Sequence, residues 1–227
     1  MRKCITVHGI RVTNRDYAYP LVGNINDVDI AWSFLHWGSS VYDTLNKYDQ
    51  IFKQPDLPFW RLGSKFKRWL FQEIHESLLW IRAYEDEEIG GKIRREAIAR
   101  ILQIHTSTPG PINIVGHSLG GIIAMDSIHE CLTSGVLVKK DIGSIITMGS
   151  PIRHWKTYST LKKRLSEIVF SEKWINIVDN SDVLAGEIHA VDDRIQDVEV
   201  DVGRLFVAHV GYWDSPIVAE IVRKVLV

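Results

Sequence analysis

The chain has 227 residues, of which 45% are apolar and 24% charged, with a formal net charge of −1. That length makes one domain spanning 1–227 with a substantial core the expectation, and the near-neutral charge removes any electrostatic argument for nucleic acid as a partner. No apolar stretch approaches the ~18 residues of a membrane span, and the run after Arg2-Lys3 is interrupted at His8 and Arg11, unlike a signal peptide, so a cytoplasmic protein is expected.

In chain order, Cys4–Val7 and Asp29–Leu35 are short and rich in β-branched or aromatic residues, as strands covered on both faces should be. Five of the eight tryptophans follow between Trp32 and Trp80. Residues 39–83 are therefore a candidate cap or lid, in which Phe59, Trp60, Phe66 and Trp69 would face lipid with Lys65, Lys67 and Arg68 at the headgroups. The alternative, a helix packed on the sheet, is preferred, because any soluble amphipathic helix has this pattern. Trp60 to His105 reads as helical throughout, with an expected break at Gly90-Gly91. Further strands are expected at Ile112–Val115, Ser144–Met148 and Trp174–Val178. Asp197–Val202 alternates acid with valine, which suggests an edge strand with one solvated face. Ser215 as N-cap and Pro216 at the first helical position open a final helix, expected to bury Ile217, Ile221 and Val225. Strands alternating with helices give an α/β fold, a mainly parallel sheet with helices on both faces.

The chemistry centres on Gly116-His117-Ser118-Leu119-Gly120-Gly121, which joins the strand at Ile112 to a helical stretch beginning at Ile122. Strand, Gly-x-Ser-x-Gly, helix is the context of a nucleophile elbow, where a strained turn lifts the serine hydroxyl clear of the sheet. A serine needs a base, and the base needs an orienting acid, in the chain order Ser, acid, His. Downstream, Asp179 and Asp182 follow the strand at Trp174. Asp182 is preferred because it lies beyond the strand end, while Asp179 reads as a turn residue. Among nine histidines, His209 is preferred, because a loop between the last strand and last helix projects over the sheet edge that carries Ser118. His189 is the competitor, and His117 is expected to pack beside the sheet. Two backbone N–H groups should stabilise an oxyanion: that of Leu119, and that of Ile10 in the turn His8-Gly9-Ile10. Cys4 and Cys131 read as buried free thiols, no histidine or cysteine spacing fits a metal, and no cofactor motif is present. The basic residues are dispersed, as on a solvated face.

These residues resemble the α/β-hydrolase superfamily. The resemblance rests on Val7-His8-Gly9-Ile10, the Gly116–Gly121 elbow, Met148-Gly149-Ser150-Pro151, Trp174-Ile175-Asn176-Ile177 with Asp182, and Ala208-His209 with Tyr212-Trp213. The nearest branch is that of the lipase-like serine esterases, including the inositol-deacylase-like group. It implies Ser118 as nucleophile, Asp182 as acid and His209 as base, with Val183 where members often carry proline. Because the strand bearing His8-Gly9 comes first, the implied sheet lacks the N-terminal hairpin of larger members. The expected activity is hydrolysis of a carboxylic ester, of a small molecule or a lipid, with membrane-surface contact left open. A non-catalytic module on the same fold, or amidase, thioesterase or acyltransferase chemistry with the same triad, are the alternatives.

Overall fold

A computed structural model describes residues 1–10, 16–37, 80–81, 83–154, 166–190, 192–203 and 206–227. Its strands are β1 (Arg2–Val7), β2 (Ile30–Leu35), β3 (Ile112–His117), β4 (Ile142–Met148), β5 (Trp174–Val178) and β6 (Ile195–Glu199). Among the described residues they form one sheet in the order β2-β1-β3-β4-β5-β6, every pairing parallel. The chain leaves β1 toward β2 at one edge, then returns across β1 to begin β3. Strand order therefore reverses between β1 and β3, and the crevice at their carboxyl ends is where an open α/β sheet binds its ligands.

The α-helices bounded within the described residues are α1 (Tyr19–Ile25), α2 (Glu87–Ser107), α3 (Leu119–Thr133), α4 (Phe206–Gly211) and α5 (Pro216–Leu226). They cover both faces, as a parallel sheet requires. On one face Ile89, Ile93, Ile101, Ile122, Met125 and Ile128 from α2 and α3 meet Ile5, Ile114 and Ile145 of the strands. On the other, Leu21 of α1 and Val218, Val222 and Leu226 of α5 cover Cys4, Val115, Ile146 and Ile177. Cys4 and Cys131 are both buried and free.

Three sequence expectations are corrected. The helical pattern does not break at Gly90-Gly91, which lie inside α2; the break is at Asp86, whose side chain accepts the N–H groups of Glu88 and Ile89 as an N-cap. Gly90 serves close approach instead, since a Cβ there would stand 1.9 Å from the Tyr84 carbonyl oxygen. The edge strand runs over Ile195–Glu199 rather than Asp197–Val202; Glu199 and Asp201 on its acidic face are exposed as expected, but Asp197 is drawn inward. The Asp197 carboxylate accepts the N–H groups of Ile188 and His189 and the Asn176 amide, so the loop after β5 covers it. In α5 the buried series is Val218, Ala219, Val222 and Leu226, whereas Ile217 is 54% exposed. Both the 217/221/225 and 218/222/226 series are mostly apolar, so helical spacing alone could not choose between them; Ile221 and Val225 only flank the core.

The candidate cap, 39–83, lies almost wholly outside the described residues. Its described end packs inward: Trp80 and Ile81 contact the core, with the Trp80 ring edge-on to Trp37 at 5.8 Å.

Candidate active site

Ser118 stands between β3 and α3 with φ 53° and ψ −132°. A positive φ is costly for a residue with a Cβ, and it persists only where the surroundings over-determine it. Here they do. The Ser118 N–H donates to Met148 O at 3.0 Å, and Ser118 O accepts from Gly121 N at 3.0 Å and Ser150 Oγ at 3.1 Å. The first turn of α3 also presses against the end of β1, where a Cβ on Gly120 would lie 2.2 Å from His8 O. Glycine is required at that point because both partners are backbone.

His209 comes not from a loop, as expected, but from the short helix α4 after β6. Its Nε2 lies 2.9 Å from Ser118 Oγ, and its Nδ1 lies 2.9 and 3.1 Å from the two oxygens of Asp182. Asp182 sits in the turn after β5, closed by its N–H to Asp179 O at 2.9 Å. Ser118, Asp182 and His209 are all buried, at 4–5% exposure, so little water competes for these bonds. With Nδ1–H donating to the carboxylate, Nε2 carries a lone pair toward the serine hydroxyl.

The less favoured candidates, Asp179 and His189, have other partners. Asp179 closes a local turn, accepting from the N–H and hydroxyl of Ser181 and from the N–H of Val202. Burial pushes its carboxyl up, but these donors outweigh that and hold it below the usual carboxylate range. His189 binds Ile195 O and is tied to Asp197 through its own N–H, away from Ser118.

The turn after β1 lies directly over the serine, since a Cβ on Gly9 would be 2.8 Å from Ser118 Cβ. His8 fixes that turn. Its Nδ1–H donates to Gly9 O at 2.5 Å, its Nε2 accepts from Trp37 N at 3.3 Å, and its carbonyl accepts from Trp37 Nε1 at 2.7 Å. This arrangement needs a neutral ring, and burial pushes the His8 pKa down to about 4. The side chain of Ile10 packs on the core beside it. Leu119 opens α3, so its N–H has no intrahelical acceptor and stands at the positive end of the helix dipole.

Three supporting residues were not anticipated in these roles. The His117 ring, tilted against His209 at 5.1 Å, donates from Nε2 to His209 O at 2.6 Å and so anchors the backbone of that residue. Burial, with His209 beside it, pushes the His117 pKa down to about 3. The Tyr212 hydroxyl reaches Asp182, and Gly149, at φ 57°, gives the Tyr212 ring its space. Only the aromatic Ala208-His209…Tyr212-Trp213 pattern hinted at any of this. Among the described residues, no group of His, Cys, Asp and Glu could hold a metal ion.

A parallel sheet whose order reverses at the serine turn, with acid and histidine arriving after the fifth and sixth strands, decides the architecture. The chain has the α/β-hydrolase fold. Solved structures with this fold match nearly its whole length. An uncharacterized protein from Bacillus cereus aligns at 12% identity with a TM-score of 0.53, covering 99% of this chain and 60% of that one. The chain thus spans less than two thirds of that protein. An extracellular α/β-hydrolase from a Paenibacillus species aligns at 9% identity and a TM-score of 0.52, covering 99% of both chains. A thioesterase domain from the curacin biosynthetic pathway aligns at 10% identity and a TM-score of 0.52, covering 99% of this chain and 90% of that one. In sequence, the family described as PGAP1-like alpha/beta domain matches residues 92–181, from within α2 through the turn at Ser118 to the residue before Asp182. No curated protein matches the chain by sequence.

Proposed function

We propose that the protein is a serine hydrolase that cleaves a carboxylic ester, of a small molecule or a lipid, through an acyl-enzyme. Ser118 Oγ attacks the ester carbonyl while His209 Nε2 takes its proton. Asp182 holds the imidazole by Nδ1 and stabilises the cation that forms. The negative charge on the carbonyl oxygen falls to the N–H groups of Leu119 and Ile10, the first reinforced by the α3 dipole. The imidazolium then protonates the leaving alcohol. Water, deprotonated by the same nitrogen, releases the acid and restores the serine.

The observation that carries this reading is the unbroken relay from Asp182 through His209 to Ser118, with Nε2 and Oγ 2.9 Å apart in a buried setting. That separation is within the reach a general base needs. A fluorophosphonate probe, which reacts with an activated serine, tests it. Labelling should be stoichiometric in the intact protein and absent in Ser118→Ala, whose ester turnover should fall by roughly a million-fold with the fold retained. Equal labelling or turnover in the variant would remove Ser118 from the reaction.

A further inference from the structure

Tyr212 is fully buried and makes two hydrogen bonds with one hydroxyl. It accepts the Asp179 N–H at 2.9 Å and donates to Asp182 Oδ2 at 3.1 Å. A phenol has one proton, and the Asp179 bond already uses the oxygen as acceptor, so that proton belongs to Asp182. Burial, followed by the charge of Asp182, pushes the phenol far above its ordinary range, so it remains a donor at any working pH. The neighbouring strand end is shaped around this ring: a Cβ on Gly149 would lie 2.7 Å from Tyr212 Cε2 and 3.2 Å from Asp182 Oδ2. The ring of His117 lies 5.7 Å from that of Tyr212 and 5.1 Å from that of His209.

We propose that Tyr212 is a positioning residue for the reaction at Ser118, tethering the Asp182 carboxylate to the end of β5 in the plane that His209 requires. The inference rests on the triad reading above. His209 Nδ1 lies at 3.1 and 2.9 Å from the two oxygens, so rotation of the carboxylate would move the imidazole with it. Leu184 N holds Oδ1 at 3.0 Å and Tyr212 holds Oδ2, one donor for each oxygen. The hydroxyl thus ties together the β5 terminus, the acid and, through the acid, the base.

The test is Tyr212→Phe, which keeps the ring and removes only the hydroxyl, measured alone and with Asp182→Asn. Turnover is counted per serine titrated with a fluorophosphonate, so unfolded protein does not enter the rate. Expected is a loss in kcat of about tenfold with KM unchanged. In the Asp182→Asn background the same change should cost less than about twofold, because the tether has lost its charge partner. The downfield NMR resonance of the His209 Nδ1 proton should move further downfield in Tyr212→Phe. It should move upfield when 3-fluorotyrosine, a stronger donor that keeps both bonds, replaces Tyr212. An unchanged kcat, an equal proportional loss in both backgrounds, or a resonance indifferent to fluorine would each overturn the proposal. A fully active Ser118→Ala would instead overturn the triad reading on which it rests.

Discussion

Exchanging Asp182 for asparagine changes one oxygen into an NH₂ and removes a charge, and the structure shows what that does. The carboxylate receives three donors: His209 Nδ1–H at 2.9 and 3.1 Å, the Tyr212 hydroxyl at 3.1 Å and the Leu184 N–H at 3.0 Å. It offers none in return, so in either orientation an amide NH₂ confronts a donor. The least costly adjustment is for the imidazole to shift its proton to Nε2 and accept from the amide. Nε2–H then faces Ser118 Oγ across 2.9 Å as a donor and cannot take the serine proton. Loss of the right tautomer and of the charge that stabilises the imidazolium should lower kcat by about 10⁴, or ~5 kcal/mol in the barrier. Asp179→Asn is the matched control. Its carboxylate serves Ser181 and Val202. Losing one of those bonds should cost about 1–3 kcal/mol of stability while kcat changes less than about tenfold. Steady-state hydrolysis of a short-chain ester and thermal melts at neutral pH read both quantities. If Asp179→Asn damages kcat more than Asp182→Asn, the acid has been misassigned and the tautomer reasoning fails.

Two further outcomes follow from buried groups around the site. His8 and His117 have folded pKa values of about 4 and about 3, below the ~6.5 of an unfolded histidine. As pH falls below ~6.5 the unfolded chain takes up protons that the folded chain refuses. Stability is therefore lost progressively from ~6.5 down toward the folded values, by about 2 kcal/mol per histidine between pH 6.5 and 5. His117→Gln keeps a donor for His209 O but cannot titrate, so its Tm should fall less steeply with acid than that of the unchanged chain; identical slopes would contradict the shift. Gly120→Ala puts a Cβ 2.2 Å from His8 O and 2.4 Å from Val7 O, backbone carbonyl oxygens that cannot swing aside. It should cost roughly 1–3 kcal/mol and displace the His8-Gly9 turn, lowering kcat as well as Tm; a variant with unchanged melting and turnover would show that the two segments are not in contact.

The sequence by itself determined the strands at β1 through β5, the layered α/β arrangement and the serine elbow. Each depends on local rules: β-branched runs buried on both faces, and glycines where a strand turns sharply into a helix. It also ranked Asp182 above Asp179 and His209 above His189, since distance from a strand end and order along the chain are one-dimensional facts. What it left undecided needed neighbours. Two apolar series on the last helix look alike until α1 and the sheet select Val218, Val222 and Leu226. Gly90 reads as a helix breaker until the Tyr84 carbonyl is seen to occupy the space of its missing Cβ. Asp197 reads as solvated until a loop brings the N–H groups of Ile188 and His189 onto its carboxylate. The roles of His117 and Tyr212 rest on contacts 92 and 30 residues apart in sequence. A hydrogen bond depends on angles and tenths of an ångström, and only the packed sheet fixes those between segments so distant along the chain.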